Sequence, residues 1–262
     1  MSQDFKPRRR FGQHFLIDDR VIESIVSAIS PSKGDVLVEI GPGLGALTGM
    51  LAKTDAKLEV IELDRDLAQT LAERLGHPAN LQIHTMDALK TDFTELAEGN
   101  RLRIVGNLPY NISSPLMFHV IEHRSVIKDM HFMLQNEVVD RLVAKPGSRS
   151  YGRLSVMVGL QCSVEKLFIV PPESFSPAPR VNSALVRLQP RLTYTTSVHR
   201  LEDFEYVVRQ AFSQRRKTLR NALRRIIDER QIRSTGIDPG ARPETLNIEE
   251  FAALSNELSR HT

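Results

Sequence analysis

The chain has 262 residues, of which 41% are hydrophobic and 26% charged, with 14 Gly, 14 Pro, a single Cys and a formal net charge of +3. These values suit one large globular domain, or a main domain with an appendage, and exclude fibrous, collagenous and disordered classes. One cysteine, Cys162, excludes an intrachain disulfide and any multi-cysteine zinc centre, so no metal is expected. The opening MSQDFKPRRR is charged but lacks the apolar stretch of a secretory signal, and no run of 18 apolar residues offers a membrane span. A cytoplasmic protein without a membrane partner is expected.

Amphipathic periodicity predicts helices over 18–30, 44–53, 64–75, 114–123 and 135–144. Between them lie short aliphatic runs: DVLVEI (35–40), KLEVIEL (57–63), LQIHT (81–85), LRIVGN (102–107) and MHFML (130–134). Such alternation predicts an α/β fold with a mostly parallel sheet covered on both faces, with ligands held outside the carboxyl ends of the strands. Next, LSVMVGLQCSVEKLFIV (154–170) and SALVRLQP (183–190) read as later strands around the proline-rich VPPESFSPAPR (170–180). Only helical periodicity follows, in 201–213, 214–231 and 247–260. The simplest cut is an α/β domain over 1–190 and a small helical domain over 191–262.

At the first strand-to-helix turn, VEIGPGLGALT (38–48) places Gly41, Gly43 and Gly45 where the backbone must turn tightly and let a ligand approach. Gly41, Gly43 and Ala46 also fit the dinucleotide fingerprint, with Glu62 where a ribose-binding acid would stand, so a NAD-dependent oxidoreductase is a genuine rival. Against it, Glu39, Glu62 and Asp87 cap three successive strands, and residues 34–106 carry a net charge of −5. Carboxylates repel a pyrophosphate; a sulfonium nucleoside has none and is cationic. This arrangement resembles class I methyltransferases that use S-adenosylmethionine, in which the acids at the positions of Glu62 and Asp87 bind the ribose hydroxyls and the adenine amino group.

GNLPYNISSPL (106–116) follows the fourth strand. An adenine amino nitrogen is a poor nucleophile because its lone pair is delocalised into the ring. If the Asn107 side-chain oxygen and the Leu108 carbonyl both accept from it, they favour a pyramidal nitrogen. Pro109 restricts Leu108 to an extended conformation, and Tyr110 is placed to stack on the base.

RFGQHFLID (10–18), VIELDRDL (60–67), FMLQNEVVDRL (132–142), YGRLSVM (151–157), VPPESFSPAPRVNSALVRL (170–188) and AFSQRRKTLRNAL (211–223), with the two motifs above, resemble the KsgA-type small-subunit ribosomal RNA adenine dimethyltransferases over nearly the whole chain. The resemblance implies dimethylation at N6 of two adjacent adenosines near the 3′ end of that RNA, within the assembling 30S subunit, by an expected monomer. It also implies that the segment with His14 and Leu16 folds over the cofactor and that Gly41, Glu62, Asp87 and Asn107 contact it, with Gly43 in the same loop. The family usually has Asn at the position of His14, whose imidazole can likewise donate to a carboxylate through one nitrogen. Phe175, in its proline-framed loop, is a second stacking candidate opposite Tyr110.

Residues 209–233 hold nine basic and two acidic side chains. With Ser213 as the expected N-cap of a helix and Leu219, Leu223, Ile226 and Ile227 as its buried stripe, Arg216, Arg220 and Arg224 share another face and suit phosphates. A noncatalytic RNA-binding assembly factor is the third function class.

Overall fold

The structure, a computed structural model, describes residues 14–109, 112–214 and 216–260. Tyr110, the RRR run at 8–10 and the start of RFGQHFLID therefore lie outside the described residues. In chain order the elements are β1 (Phe15–Leu16), α1 (Asp19–Ile29), β2 (Val36–Ile40), α2 (Ala46–Leu51), β3 (Lys57–Glu62), α3 (Arg65–Leu75), β4 (Leu81–Thr85) and α4 (Phe93–Ala97). Then come β5 (Leu102–Asn107), α5 (Ser113–Glu122), β6 (Ile127–Gln135), α6 (Asn136–Leu142), α7 (Arg153–Gln161), β7 (Cys162–Val170), β8 (Phe175–Ser176) and β9 (Ser183–Pro190). The helices α8 (Leu201–Ser213), α9 (Leu219–Ala222), α10 (Glu229–Ser234) and α11 (Ile248–Ser259) complete the chain.

Two compact units form. The first takes the chain up to Val139 together with Glu165–Pro190; the second takes Asp140–Val164 and everything from Arg191 onwards. A single cut at 190 assigns 140–164 to the sheet, whereas these residues cluster with the C-terminal helices.

The first unit is the expected α/β fold. Its seven-stranded sheet runs β4-β3-β2-β5-β6-β9-β7, with β4 to β6 parallel and β9 antiparallel to β6. β2, β3 and β5 are buried over nearly their whole length, which is why each reads as an apolar run rather than an alternating one. Helix starts follow local chemistry: Asp18, Asp64 and Asp92 each accept amide hydrogens from the first turn of α1, α3 and α4. A separate two-stranded ribbon pairs β1 with β8, Phe15 opposite Ser176 and Leu16 opposite Phe175.

At the amino end of the sheet, buried Arg103 gathers three elements. Its guanidinium donates to Asp129 on β6 (3.0 Å), to Asp35 before β2 (2.8 Å) and to the Ile29 carbonyl that ends α1 (2.6 Å). Burial alone would raise both carboxyls. The Lys128, Ser32 and Arg103 donors at Asp35, and the neighbouring His131 ring together with Arg103 at Asp129, overcome it and hold both below the usual carboxylate range. A carboxyl depressed in the folded state adds stability that is complete above its unfolded pKa and lost as pH falls through its folded one. Urea unfolding is therefore expected to show stability dropping below about pH 4. Arg103→Leu, which takes the guanidinium from two buried carboxylates and leaves Asp35 with only Lys128 and Ser32, is expected to cost about 3–5 kcal/mol near neutral pH; an unchanged midpoint would refute this account of the network.

Two sequence expectations change. LSVMVGLQ is not strand but α7, ended by β7. It is apolar on all sides because it is buried on all sides, and periodicity does not separate a buried helix from a buried strand. Its start is closed by Ser155, whose hydroxyl accepts from the Gly152 amide and donates to the Arg141 carbonyl. The helix expected over 214–231 is broken: Ser213 is the last residue of α8, its hydroxyl bonded to Gln210, and not an N-cap. α9 cannot extend backwards because the Leu219 and Arg220 amides donate to Ala241 and Pro239, and α10 starts afresh at an Asp228–Gln231 capping box. Leu219, Leu223 and Ile227 nevertheless stay buried, Ile226 is half-buried, and Arg216, Arg220 and Arg224 are exposed, although only Arg220 lies within a helix.

Candidate active site

A cavity of about 450 Å³ opens at the carboxyl ends of β2, β3, β4 and β5. Its first wall is the turn after β2. Gly43 has a positive φ of 56°, and a Cβ there would sit 2.9 Å from the Phe15 ring, so only glycine lets β1 close on this turn. Gly41 also has a positive φ, and its amide donates to the Ile61 carbonyl, binding the turn to β3.

Among the described residues, four carboxyls, from Glu39, Glu62, Asp64 and Asp87, share this space with one guanidinium, from Arg65. Glu62 ends β3 and is buried; burial raises its carboxyl, while the Asp64, Leu63 and Gly43 amides counter the rise. One of its oxygens is committed to the Asp64 amide at 2.9 Å. Burial, reinforced by the neighbouring Glu62 carboxyl, pushes Glu39 up to about 7 even though the nearby Thr48 hydroxyl lowers it. Glu39 Oε2 has no partner of hydrogen-bonding geometry among the described residues. Asp87, two residues past β4, accepts from the Leu89 amide and so caps the following turn as well as lining the cavity.

Asn107 ends β5, beside these acids. Its Nδ2 donates to the His14 carbonyl at 2.9 Å. Because a carbonyl only accepts, this bond fixes the orientation of the amide and leaves Oδ1 as its acceptor. Leu108 and Pro109 also line the cavity, with the Leu108 amide held by the Met133 carbonyl. His14 and Leu16 also line the cavity. The His14 ring donates from Nδ1 to the Pro177 carbonyl at 2.6 Å, so in the neutral ring Nε2 is an acceptor. Donation from His14 to a carboxylate, which the resemblance leads one to expect, thus requires a doubly protonated imidazole.

Phe175 does not line the cavity. It is 3% exposed and packs with Leu16 and Met133 in the core, as an anchor for its loop. Among the described residues no group of three or more His, Cys, Asp or Glu side chains is placed to hold a metal, and no helix is long and apolar enough to cross a membrane.

Comparison with known proteins settles the family. Residues 4–260 match the model of the ribosomal RNA adenine dimethylases. The chain belongs to the ribosomal RNA adenine dimethylase family. It is 53% identical to the ribosomal RNA small subunit methyltransferase A of Methylococcus capsulatus, with 97% of this chain and 98% of that one covered. The corresponding protein of a Marinomonas strain is 50% identical, covering 97% of this chain and 96% of the relative. Among solved structures, a dimethyladenosine transferase from Plasmodium falciparum aligns with a TM-score of 0.77 at 27% identity, over 94% and 98% of the two chains. The 23S rRNA methyltransferase ErmE aligns with a TM-score of 0.73 at 26% identity, over 94% and 99%.

Within this dimethylase fold, sequence reading missed two apolar walls. Leu63 and Met86 are large hydrophobic side chains left exposed, yet both line the cavity beside Glu62 and Asp87. The signal was present: each directly neighbours a strand-end acid, in IELD and TMDA. Buried His131 also reaches the cavity. Its Nδ1 lies 3.6 Å from Asp129, and neither ring nitrogen has a partner of hydrogen-bonding geometry among the described residues. Nothing in the run MHFML marks that residue.

Proposed function

We propose that this protein transfers methyl groups from S-adenosylmethionine to N6 of two adjacent adenosines near the 3′ end of small-subunit ribosomal RNA, in the assembling 30S subunit, as a cytoplasmic monomer. The observation that carries the reading is the Asn107 amide, oriented by the His14 carbonyl so that Oδ1 is its acceptor, at the same strand edge as an acid-lined cavity. The names of the relatives support the RNA and the subunit. The cavity fits the cofactor by chemistry: among the described residues its carboxyls outnumber Arg65, which suits a cationic nucleoside and disfavours a dinucleotide pyrophosphate.

S-adenosylmethionine supplies an electrophilic methyl group on a sulfonium. Glu62 would accept from the ribose hydroxyls, a charge-assisted pair of bonds, and the uncommitted oxygen of Asp87 would accept from the adenine amino group. Leu63 and Met86 would supply apolar surface for that adenine. Gly41 and Gly43 would let the backbone approach, and His14 and Leu16 would cover the ligand.

At the reacting end, Asn107 Oδ1 and the Leu108 carbonyl accept from the target amino group and hold its nitrogen pyramidal. Tyr110 stacks on the extruded base. No general base is needed before transfer, since the nitrogen becomes acidic once methylated and releases its proton to water. We assign Phe175 to anchoring the proline-framed loop, and Arg216, Arg220 and Arg224 of the helical unit to RNA phosphates.

Glu62→Ala is expected to weaken S-adenosylmethionine binding by about 2 kcal/mol, roughly thirtyfold, without unfolding the protein. Calorimetric titration of both proteins, with NAD as the competing ligand, checks it. An unchanged dissociation constant removes Glu62 from the site, and tight binding of NAD instead restores the oxidoreductase.

A further inference from the structure

The segment His14–Asp18 is fastened to residues 174–177 along its whole length. Beyond the β1–β8 pairs, the Ile17 amide donates to the Ser174 carbonyl at 2.9 Å and His14 Nδ1 to the Pro177 carbonyl at 2.6 Å. The Ser174 side chain, fully buried, donates to Asp18 Oδ2 at 3.1 Å. The other oxygen of Asp18 caps α1 through the Arg20 and Val21 amides. Underneath, Phe15 rests on Gly43. The strap is therefore seated by the loop, the first turn of α1 and the glycine turn together. It meets the reacting edge at the His14 carbonyl, which receives Asn107 Nδ2.

That bond matters because the terminal torsion of an asparagine is broad and nearly two-fold. A flipped amide would turn a donor toward the target amino group, which is itself a donor. The acceptor atom is selected by where the His14 carbonyl lies, and its position is set by the strap. We infer that Ser174 and Asp18 are positioning residues for methyl transfer, seating the strap so that the His14 carbonyl holds the Asn107 amide in its accepting orientation. This rests on the role of Asn107 proposed above. Neither residue touches the base: they act across 156 residues of sequence through one carbonyl.

Ser174→Ala removes the seat and leaves the Asp18 cap intact. It is expected to lower the single-turnover rate about tenfold at saturating cofactor and saturating small subunits, the effect of one lost hydrogen bond, with subunit affinity and thermal midpoint near wild type. Asp18→Asn, which still caps α1 and offers its amide to the Ser174 hydroxyl, is expected to stay near the wild-type rate. His14→Ala releases the other end of the strap while keeping the carbonyl, and is expected to slow transfer similarly; it serves as the second arm if Ser174→Ala does not fold.

The deciding measurement is a double-mutant cycle with Asn107→Ala. Once the amide is gone there is nothing left to orient, so Ser174→Ala should have little further effect in that background. A wild-type rate for both strap variants, or a tenfold loss that persists with Asn107→Ala, overturns the inference alone. A wild-type rate for Asn107→Ala by itself overturns the reading of Asn107, and the inference with it.

Discussion

Asn107→Ala is expected to lower the single-turnover rate of methyl transfer by about a hundredfold or more while small-subunit affinity stays within a few-fold of wild type. The size follows from what is removed. An oriented acceptor aimed at a nitrogen that must change its hybridisation contributes most in the transition state, and deleting one such preorganised group typically costs two to three orders of magnitude. Affinity is spared because one base is a small part of a large RNA interface. A cofactor effect is also expected, since removing the Nδ2 bond frees the His14 carbonyl, whose residue lines the cavity. Rates are therefore compared at saturating S-adenosylmethionine. If Asn107→Ala keeps its rate and loses only affinity, the residue is a binding group and the proposed chemistry fails.

The second large effect concerns phosphates. Arg216, Arg220 and Arg224 are exposed, and Leu219, Leu223 and Ile227, at the same four-residue spacing, are buried, so the guanidiniums are outward although the helix between them is broken. Replacing all three with alanine is expected to flatten the dependence of log affinity on log salt by about two to three units, near 0.7–0.9 for each phosphate no longer neutralised. Replacing all three with glutamate is expected to abolish subunit binding at moderate salt. Cofactor titration should be unaltered in both, since none of the three lines the cavity. An unchanged salt slope would make this surface a solvated bystander, and failure to bind cofactor would make it structural.

The parallel sheet was legible because its central strands are buried on both faces, so DVLVEI, KLEVIEL and LRIVGN carry a signal that needs no partner to be read. The acids and glycines were legible because each sits at a strand end, where chain direction alone brings them to one edge. What failed depended on tertiary partners. Nothing local in LSVMVGLQ separates a buried helix from a buried strand. The break before Leu219 comes from carbonyls about twenty residues onward, at Pro239 and Ala241. Phe175 looked like a presented aromatic because prolines frame it, yet its pairing with Leu16 turns it inward. The Ser174–Asp18 bond joins positions too far apart in sequence for any spacing argument.

The interleaving of the two units constrains how this chain can be divided or built. It passes between them at 139/140, 164/165 and 190/191, so no single proteolytic cut or stop codon yields both intact. A product ending at Pro190 would keep α7 but lose α8 and α11, against which it packs, uncovering part of a buried apolar helix. On a translating ribosome the same stretch emerges before its partners, and at about 5–20 residues per second it waits several seconds for them. During that interval the nascent chain carries an unsatisfied apolar helix in addition to a complete sheet, a state in which a holding chaperone would have something to bind.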